Sequence, residues 1–258
     1  VKISAIVVTL NEEKYLRECL KSISFCDQIL VVDLGSTDNS VAIAREFATD
    51  FITHVPVPFV EEIWYEYFPS LRNDWVLRVD PDEIFPLALS NEIQKLIHTD
   101  NGSIGSILIP YQYYYCGKPL NYTVWGGVRN FPKIYNKHRI SLHVRVHTGI
   151  SLKPGFVEFP LKYDGINYVQ HYWIDSNEQL FAKHKRYLEH EGKSRYNNGQ
   201  RFSWLKMFRL VYKCFKVSMF KKQGWRGGRD GIFLSFFYAK YEAVAHLSLR
   251  RYQTSISK

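Results

Sequence analysis

Four short, largely apolar runs, Ile3–Thr9, Ile29–Val32, Phe51–His54 and Trp75–Val79, alternate with segments of helical periodicity over the first hundred residues. Between the first two, Tyr15, Leu16, Cys19, Leu20 and Ile23 recur at i, i+3 and i+4, which predicts a helix from Glu12 to Ile23. Val41–Ala48 and Glu61–Phe68 are the next predicted helices. Strands that are apolar on both sides must be covered on both faces, so the alternation predicts a parallel sheet flanked by helices. Ligands of such sheets sit at the carboxyl ends of the strands. Three polar clusters fall there: Thr9–Glu12, Asp33–Ser40 and Asp80–Glu83.

Beyond residue 100 the pattern changes. Ile104–Tyr115 and Asn130–Val146 read as strands, and Lys153-Pro154-Gly155 as a turn. Ser176 is placed to cap a helix running from Asn177 to about Gly192. The polar stretch Lys193–Arg201 then separates two helical segments, 202–222 and 230–249. This divides the chain into residues 1–100, 101–192 and 193–258.

Charge is divided as sharply. Residues 1–100 carry a net charge of −9 and residues 101–258 one of +18, with no acidic residue between Asp100 and Glu158. A basic half of that strength draws an anionic partner. Nucleic acid would account for the basic half but leaves the acidic clusters without a purpose, so it is not expected. The four cysteines, Cys19, Cys26, Cys116 and Cys214, show neither zinc-ligand spacing nor a disulfide framework, which reads as reduced thiols in the cytoplasm. The apolar start is too short for a signal peptide or a membrane span.

The cluster Asp80-Pro81-Asp82-Glu83 holds three carboxylates in four residues. Acids this close raise one another's pKa unless a cation relieves them. A hard divalent ion, Mg²⁺ or Mn²⁺, suits such oxygens and commonly arrives with a diphosphate. The competing reading is a solvated turn with Pro81 at its corner. Asp33, just before Gly35, is either a hydrogen-bond acceptor for a base or ribose or a turn residue. Asp38 or Ser36 is expected to cap the following helix, and Thr9, Asn11 and Glu12 close the first strand. A D-x-D after a strand also occurs in haloacid dehalogenase-type phosphatases, but here two βα units precede it.

The segments "IVVTLNEEKYLRECLKSI", "ILVVDLGSTDNS" and "DWVLRVDPDE", in this order and spacing, resemble the family 2 glycosyltransferases of the GT-A fold. In particular they resemble the bacterial branch that adds sugars to the lipopolysaccharide core. The resemblance is densest over residues 3–90 and thins toward residue 175, where "VHTGI" and "HYWIDS" still match. It implies a Rossmann-like, mostly parallel sheet with a helical, basic C-terminal extension. It also implies an inverting transfer from a nucleotide-sugar, UDP being the commonest, to a lipid-linked or cell-envelope glycan. By matching position, Thr9, Asn11 and Glu12 line the nucleotide pocket and Asp33 contacts the base. Asp80 lies near the ribose and metal, and Asp82 holds Mg²⁺ or Mn²⁺ on the diphosphate.

Three departures stand out. Where relatives often carry an Arg-Asn pair in the helix before the D-x-D strand, this chain has Trp64 and Tyr65. Where many read V-H-E, it has Val146-His147-Thr148. The acid-free stretch also removes the usual place for a general base, which an acceptor hydroxyl needs. Glu83, Glu158 and Asp164 remain nearby in sequence, Glu83 being the expected base, and His147 is a candidate metal ligand, phosphate donor or base. A catalytically inactive nucleotide-sugar or membrane-binding module is the alternative reading.

In "FSWLKMFRLVYKCFKVSMFKK", Lys206, Arg209, Lys213 and Lys216 form a cationic stripe beside bulky apolar residues. This suits a helix lying on an anionic membrane surface, placing the protein on the inner face of the cytoplasmic membrane next to a glycolipid acceptor. Arg129, Lys133, Lys137, Arg139, Arg145 and Lys153 are expected to face that acceptor.

Overall fold

The computed structural model describes residues 2–57, 60–142 and 149–256. The elements begin with β1 (Ile3–Thr9), α1 (Glu13–Ser22), β2 (Gln28–Asp33), α2 (Ser40–Phe47), β3 (Asp50–Thr53), α3 (Val60–Tyr67) and β4 (Trp75–Val79). After the D-x-D turn come β5 (Glu83–Ile84), α4 (Leu87–Thr99), β6 (Ile104–Tyr115), β7 (Lys118–Pro119), β8 (Arg129–Asn136) and β9 (Ile140–Leu142). They are followed by β10 (Ile150–Leu152), β11 (Val157–Pro160), β12 (Val169–Ile174), α5 (Asn177–Asn197), α6 (Trp204–Lys216) and α7 (Gly228–Ile256). Two compact units result: Val1–Gln112 with Val128–Tyr172, and Tyr113–Gly127 with Trp173–Lys258.

The first unit holds the main sheet, in the order β3-β2-β1-β4-β8-β6-β12-β5. The first four strands are mutually parallel, as the alternation predicts. β8 then runs antiparallel to both β4 and β6. β1 and β2 are buried at every residue. On one face Ile6, Val8, Leu30, Val32, Val76 and Tyr135 pack with Ile63, Phe68 and Leu71. The residues alternating with them, such as Val7, Leu77 and Val79, are buried on the other face. The four parallel strands therefore end together, and the three polar clusters follow three of them.

In the second unit, Ser176 caps α5, its Oγ accepting the Gln179 N–H at 3.2 Å. The helix continues five residues past the expected stop at Gly192. That glycine is a contact point rather than a terminator, because a Cβ there would lie 2.5 Å from the Ser248 carbonyl oxygen on α7. Arg195, assigned from sequence to a polar spacer, joins the same pair of helices through Glu191 at 2.7 Å and Glu242 at 3.0 Å. All four cysteines are free thiols. No helix among the described residues is long and apolar enough to cross a membrane.

Candidate active site

The loops after β1 and β2 are fastened to each other. Asn11 takes the left-handed conformation, φ 56°, which its short polar side chain tolerates. Its N–H donates to Ser36 Oγ at 2.9 Å, and its side-chain oxygen accepts the Thr37 N–H at 2.7 Å. The Glu12 N–H donates to Ser40 Oγ at 2.9 Å. Asp38 serves two helix starts at once, accepting the Ser40 N–H at 2.9 Å and the Glu13 N–H at 3.1 Å. Glu13 returns the contact by accepting the Asn39 N–H at 2.9 Å. These bonds hold Asp38 below the usual carboxylate range against the opposing effect of desolvation.

Asp33 is 1% exposed, and its Oδ2 accepts the Gly35 and Ser36 N–H groups at 3.0 and 3.1 Å. It therefore shapes the turn, whatever else it contacts. Thr9 is equally buried, and its Oγ1 has no hydrogen-bond partner among the described residues.

The third cluster is a closed turn. The Glu83 N–H donates to the Asp80 carbonyl at 3.0 Å, and Glu83 Oε2 accepts the Asp80 N–H at 3.1 Å. β5 pairs with β12, setting Glu83 opposite His171, and the Tyr172 N–H donates to the Asp82 carbonyl at 2.9 Å. Beneath the turn, the buried Cys19 thiol donates to the Asp80 carbonyl at 3.5 Å. Burial first, then the neighbouring carboxylates, push that thiol well above its ordinary pKa.

The cation that relieves the carboxylates is Lys133 of β8. Its buried Nζ contacts Glu83 Oε1 and lies 3.2 Å from Asp80 Oδ2. The Tyr111 hydroxyl bridges Glu83 Oε1 and His171 Nδ1. His171 Nε2 then lies 3.0 Å from Asp82 Oδ2. A chain of contacts thus runs Asp80–Lys133–Glu83–Tyr111–His171–Asp82. Burial works against the Asp80 charge, but Lys133 outweighs it and holds that carboxyl far below its usual range. For Glu83 burial wins, pushing its pKa up to about 7 despite Lys133. The two acids share one cation, and Asp80 takes the charge.

Several expectations change here. Glu83, the expected base, is 0% exposed, and its carboxylate braces the turn through the Asp80 N–H and Lys133. His147 lies outside the described residues, as does Arg145. Lys133 is turned into the protein rather than toward an acceptor. Lys137 donates to the Leu71 carbonyl at 2.6 Å, Lys153 to the His138 carbonyl at 2.9 Å, and Arg139 pairs with Asp100. Sequence reasoning missed Tyr111 and His171. Lys133 carried a signal that was misread: a lysine at mid-strand in "FPKIY" needs a buried acid for a partner.

Asp80 and Asp82 each engage a neighbour through Oδ2, Lys133 and His171 respectively. No group of three metal-ligating side chains gathers among the described residues. Mg²⁺ and similar ions commonly bind through one or two carboxylates plus substrate phosphates. The residues present fit that partial donor set.

The chain belongs to glycosyl transferase family 2, whose model matches residues 4–158. It is 29% identical over 157 residues to the lipopolysaccharide core biosynthesis glycosyltransferase LpsC of Rhizobium meliloti (strain 1021). That match covers 57% of this chain and spans only 56% of the relative's length. The uncharacterized glycosyltransferase RP128 of Rickettsia prowazekii (strain Madrid E) is 26% identical, over 95% of this chain and 86% of its own. Among solved structures, glucosyl-3-phosphoglycerate synthase from Mycobacterium tuberculosis, in complex with Mn²⁺, UDP and glucosyl-3-phosphoglycerate, is 25% identical with a TM-score of 0.35. That alignment covers 44% of each chain.

Proposed function

We propose that this chain transfers a sugar, with inversion, from a nucleotide-sugar to a lipid-linked or cell-envelope glycan. The observation that carries the reading is the D-x-D turn at the carboxyl end of a parallel strand in a family 2 chain. Its carboxylates are braced from within by Lys133 and His171. UDP is the preferred nucleotide because it is the commonest in the family. Asp80 and Asp82 would hold Mg²⁺ or Mn²⁺, which when bound neutralises charge developing on the leaving diphosphate. Lys133, Tyr111 and His171 fix those two side chains in place. Glu83 keeps the turn closed and does not take the acceptor proton. Thr9, Asn11, Glu12 and Asp33 form the nucleotide end of the site.

Titration with UDP, with and without Mn²⁺, followed by turnover of UDP-sugars, tests the reading. Metal-dependent binding with turnover supports it. Binding without turnover leaves an inactive relative, and absence of nucleotide binding rejects it. Asp33→Ala should weaken UDP binding by roughly 1–3 kcal/mol, the scale of a charge-assisted hydrogen bond. An unchanged dissociation constant together with a lower melting temperature would restrict Asp33 to its turn.

The acceptor reading rests on α6. Met207 and Cys214 face inward. Trp204, Leu205, Phe208 and Tyr212 are 49%, 58%, 63% and 66% exposed. At about 100° per residue these four span a sector of about 100°, and Lys206, Arg209, Lys213 and Lys216 occupy the adjoining sector of about 80°. The exposed side of the helix is thus half aromatic and half cationic, which suits the interface of an anionic bilayer on the cytoplasmic face. Each cation near such a surface contributes about 1 kcal/mol, and the attraction decays within a Debye length. Changing all four to Gln should abolish flotation with anionic liposomes and raise KM for a membrane-embedded acceptor, sparing donor hydrolysis by water. Undiminished flotation, or outright unfolding, would make the stripe structural.

A further inference from the structure

Arg78 lies near the end of β4, two residues before Asp80 in the turn that follows the strand. The register of β4 on β8 pairs Val76 with Tyr135 and Leu77 with Ile134 and ends there, with Arg78 and Lys133 next on the two strands. The two cations oppose each other, Arg78 acting against the Lys133 charge. Lys133 is compensated by Asp80 and Glu83, but Arg78 has no carboxylate partner among the described residues. Its guanidinium sits over aromatic rings instead, with Cζ 4.0 Å from the Trp64 ring centroid and 5.2 Å from that of Tyr135. Among the described residues, Arg78 Nε is buried without a hydrogen-bond partner, and so is Trp64 Nε1.

An unpartnered buried donor on an uncompensated cation is costly to keep, and an anion beside the guanidinium would relieve it. Stacking occupies the faces of a guanidinium and leaves its in-plane N–H groups free to donate. That planar fork matches phosphate oxygens. We propose that Arg78, held on Trp64, binds the diphosphate of the nucleotide donor beside Asp80. The inference rests on the donor reading above and adds a positive group to it. A single divalent ion matches the two charges of a nucleotide-sugar's diphosphate but not the third that develops as the nucleoside diphosphate leaves, and Lys133 is already committed to two carboxylates. Arg78 supplies the remaining charge.

The test measures dissociation constants for UDP, UMP and uridine on the whole chain, with and without Mn²⁺, alongside melting temperatures. Arg78→Gln should weaken UDP binding roughly 10- to 100-fold and leave uridine unchanged. The loss should persist without Mn²⁺, which separates the arginine from the metal. Arg78→Lys should recover only part of it, since lysine lacks the fork. Trp64→Leu keeps the charge but removes its support, and should cost several-fold for UDP alone. If Arg78→Gln folds and binds UDP like the parent, the arginine is structural and the proposal falls. It falls equally if Arg78→Gln is unfolded and Trp64→Leu binds UDP normally, or if uridine binding drops in step with UDP. The parent's own binding tests the donor reading: a parent that binds neither UDP nor another nucleoside diphosphate overturns both, whereas a binding parent with indifferent variants overturns only this one.

Discussion

Asp82→Asn should reduce sugar transfer by roughly 10²- to 10³-fold, the scale of losing one preorganised electrostatic contact to developing charge. Asn keeps the shape of the side chain, and its amide oxygen can still face His171. What disappears is the negative charge that would hold a divalent ion against the diphosphate. Mn²⁺-dependent UDP affinity should fall in parallel, while the melting temperature stays near that of the parent. The braces explain the latter: Asp82 is 17% exposed at its side chain and rests on one contact, whereas Glu83 and Lys133 anchor the turn. Full transfer activity in this variant, or in excess EDTA, would sink the metal reading.

Lys133→Met should act on stability instead. It leaves Glu83, wholly buried, and Asp80, partly buried, without their shared cation. Breaking a buried pair from one side costs about 3–5 kcal/mol, and for a unit of this size the melting temperature should drop by roughly 10 °C. The sign with pH follows from linkage. In the parent, Lys133 lowers the pKa of both acids. Without it both rise in the folded state, so the variant binds more protons than the parent and its deficit grows with pH. The stability gap should therefore be wider at pH 8 than at pH 5, where Glu83 can be neutral. Glu83→Gln added to Lys133→Met should recover part of the loss. A melting temperature unchanged by Lys133→Met, or a gap that narrows with rising pH, would contradict this account of the cluster.

The parallel strands were legible in the sequence because burial on both faces leaves a run with no polar residue to interrupt it. The D-x-D turn was legible because carboxylates seldom crowd together without a cation. The identity of that cation was hidden. Lys133 lies fifty residues away on an antiparallel strand, and nothing local announces which acids a mid-strand lysine will meet. Tyr111 and His171 were hidden for the same reason, since each acquires its role only when β6 and β12 are placed in the sheet. Gly192 misled in the opposite direction. A glycine after a helical pattern reads as a stop, but here it marks where another helix backbone comes close.

The two loops tied through Asn11, Asp38 and Ser40 have a consequence for binding entropy. Separate loops would each surrender their freedom when a ligand arrived. These have surrendered it during folding, so little ordering is left to oppose association. The same ties make the loops a single inherited unit. A residue changed in 33–40 shifts the backbone of 9–13 through the shared bonds, and the reverse holds. Grafting one loop from a relative with a different nucleotide preference would strand the other loop's N–H donors. Under the nucleotide reading proposed above, redesigning specificity at this end means moving both loops together.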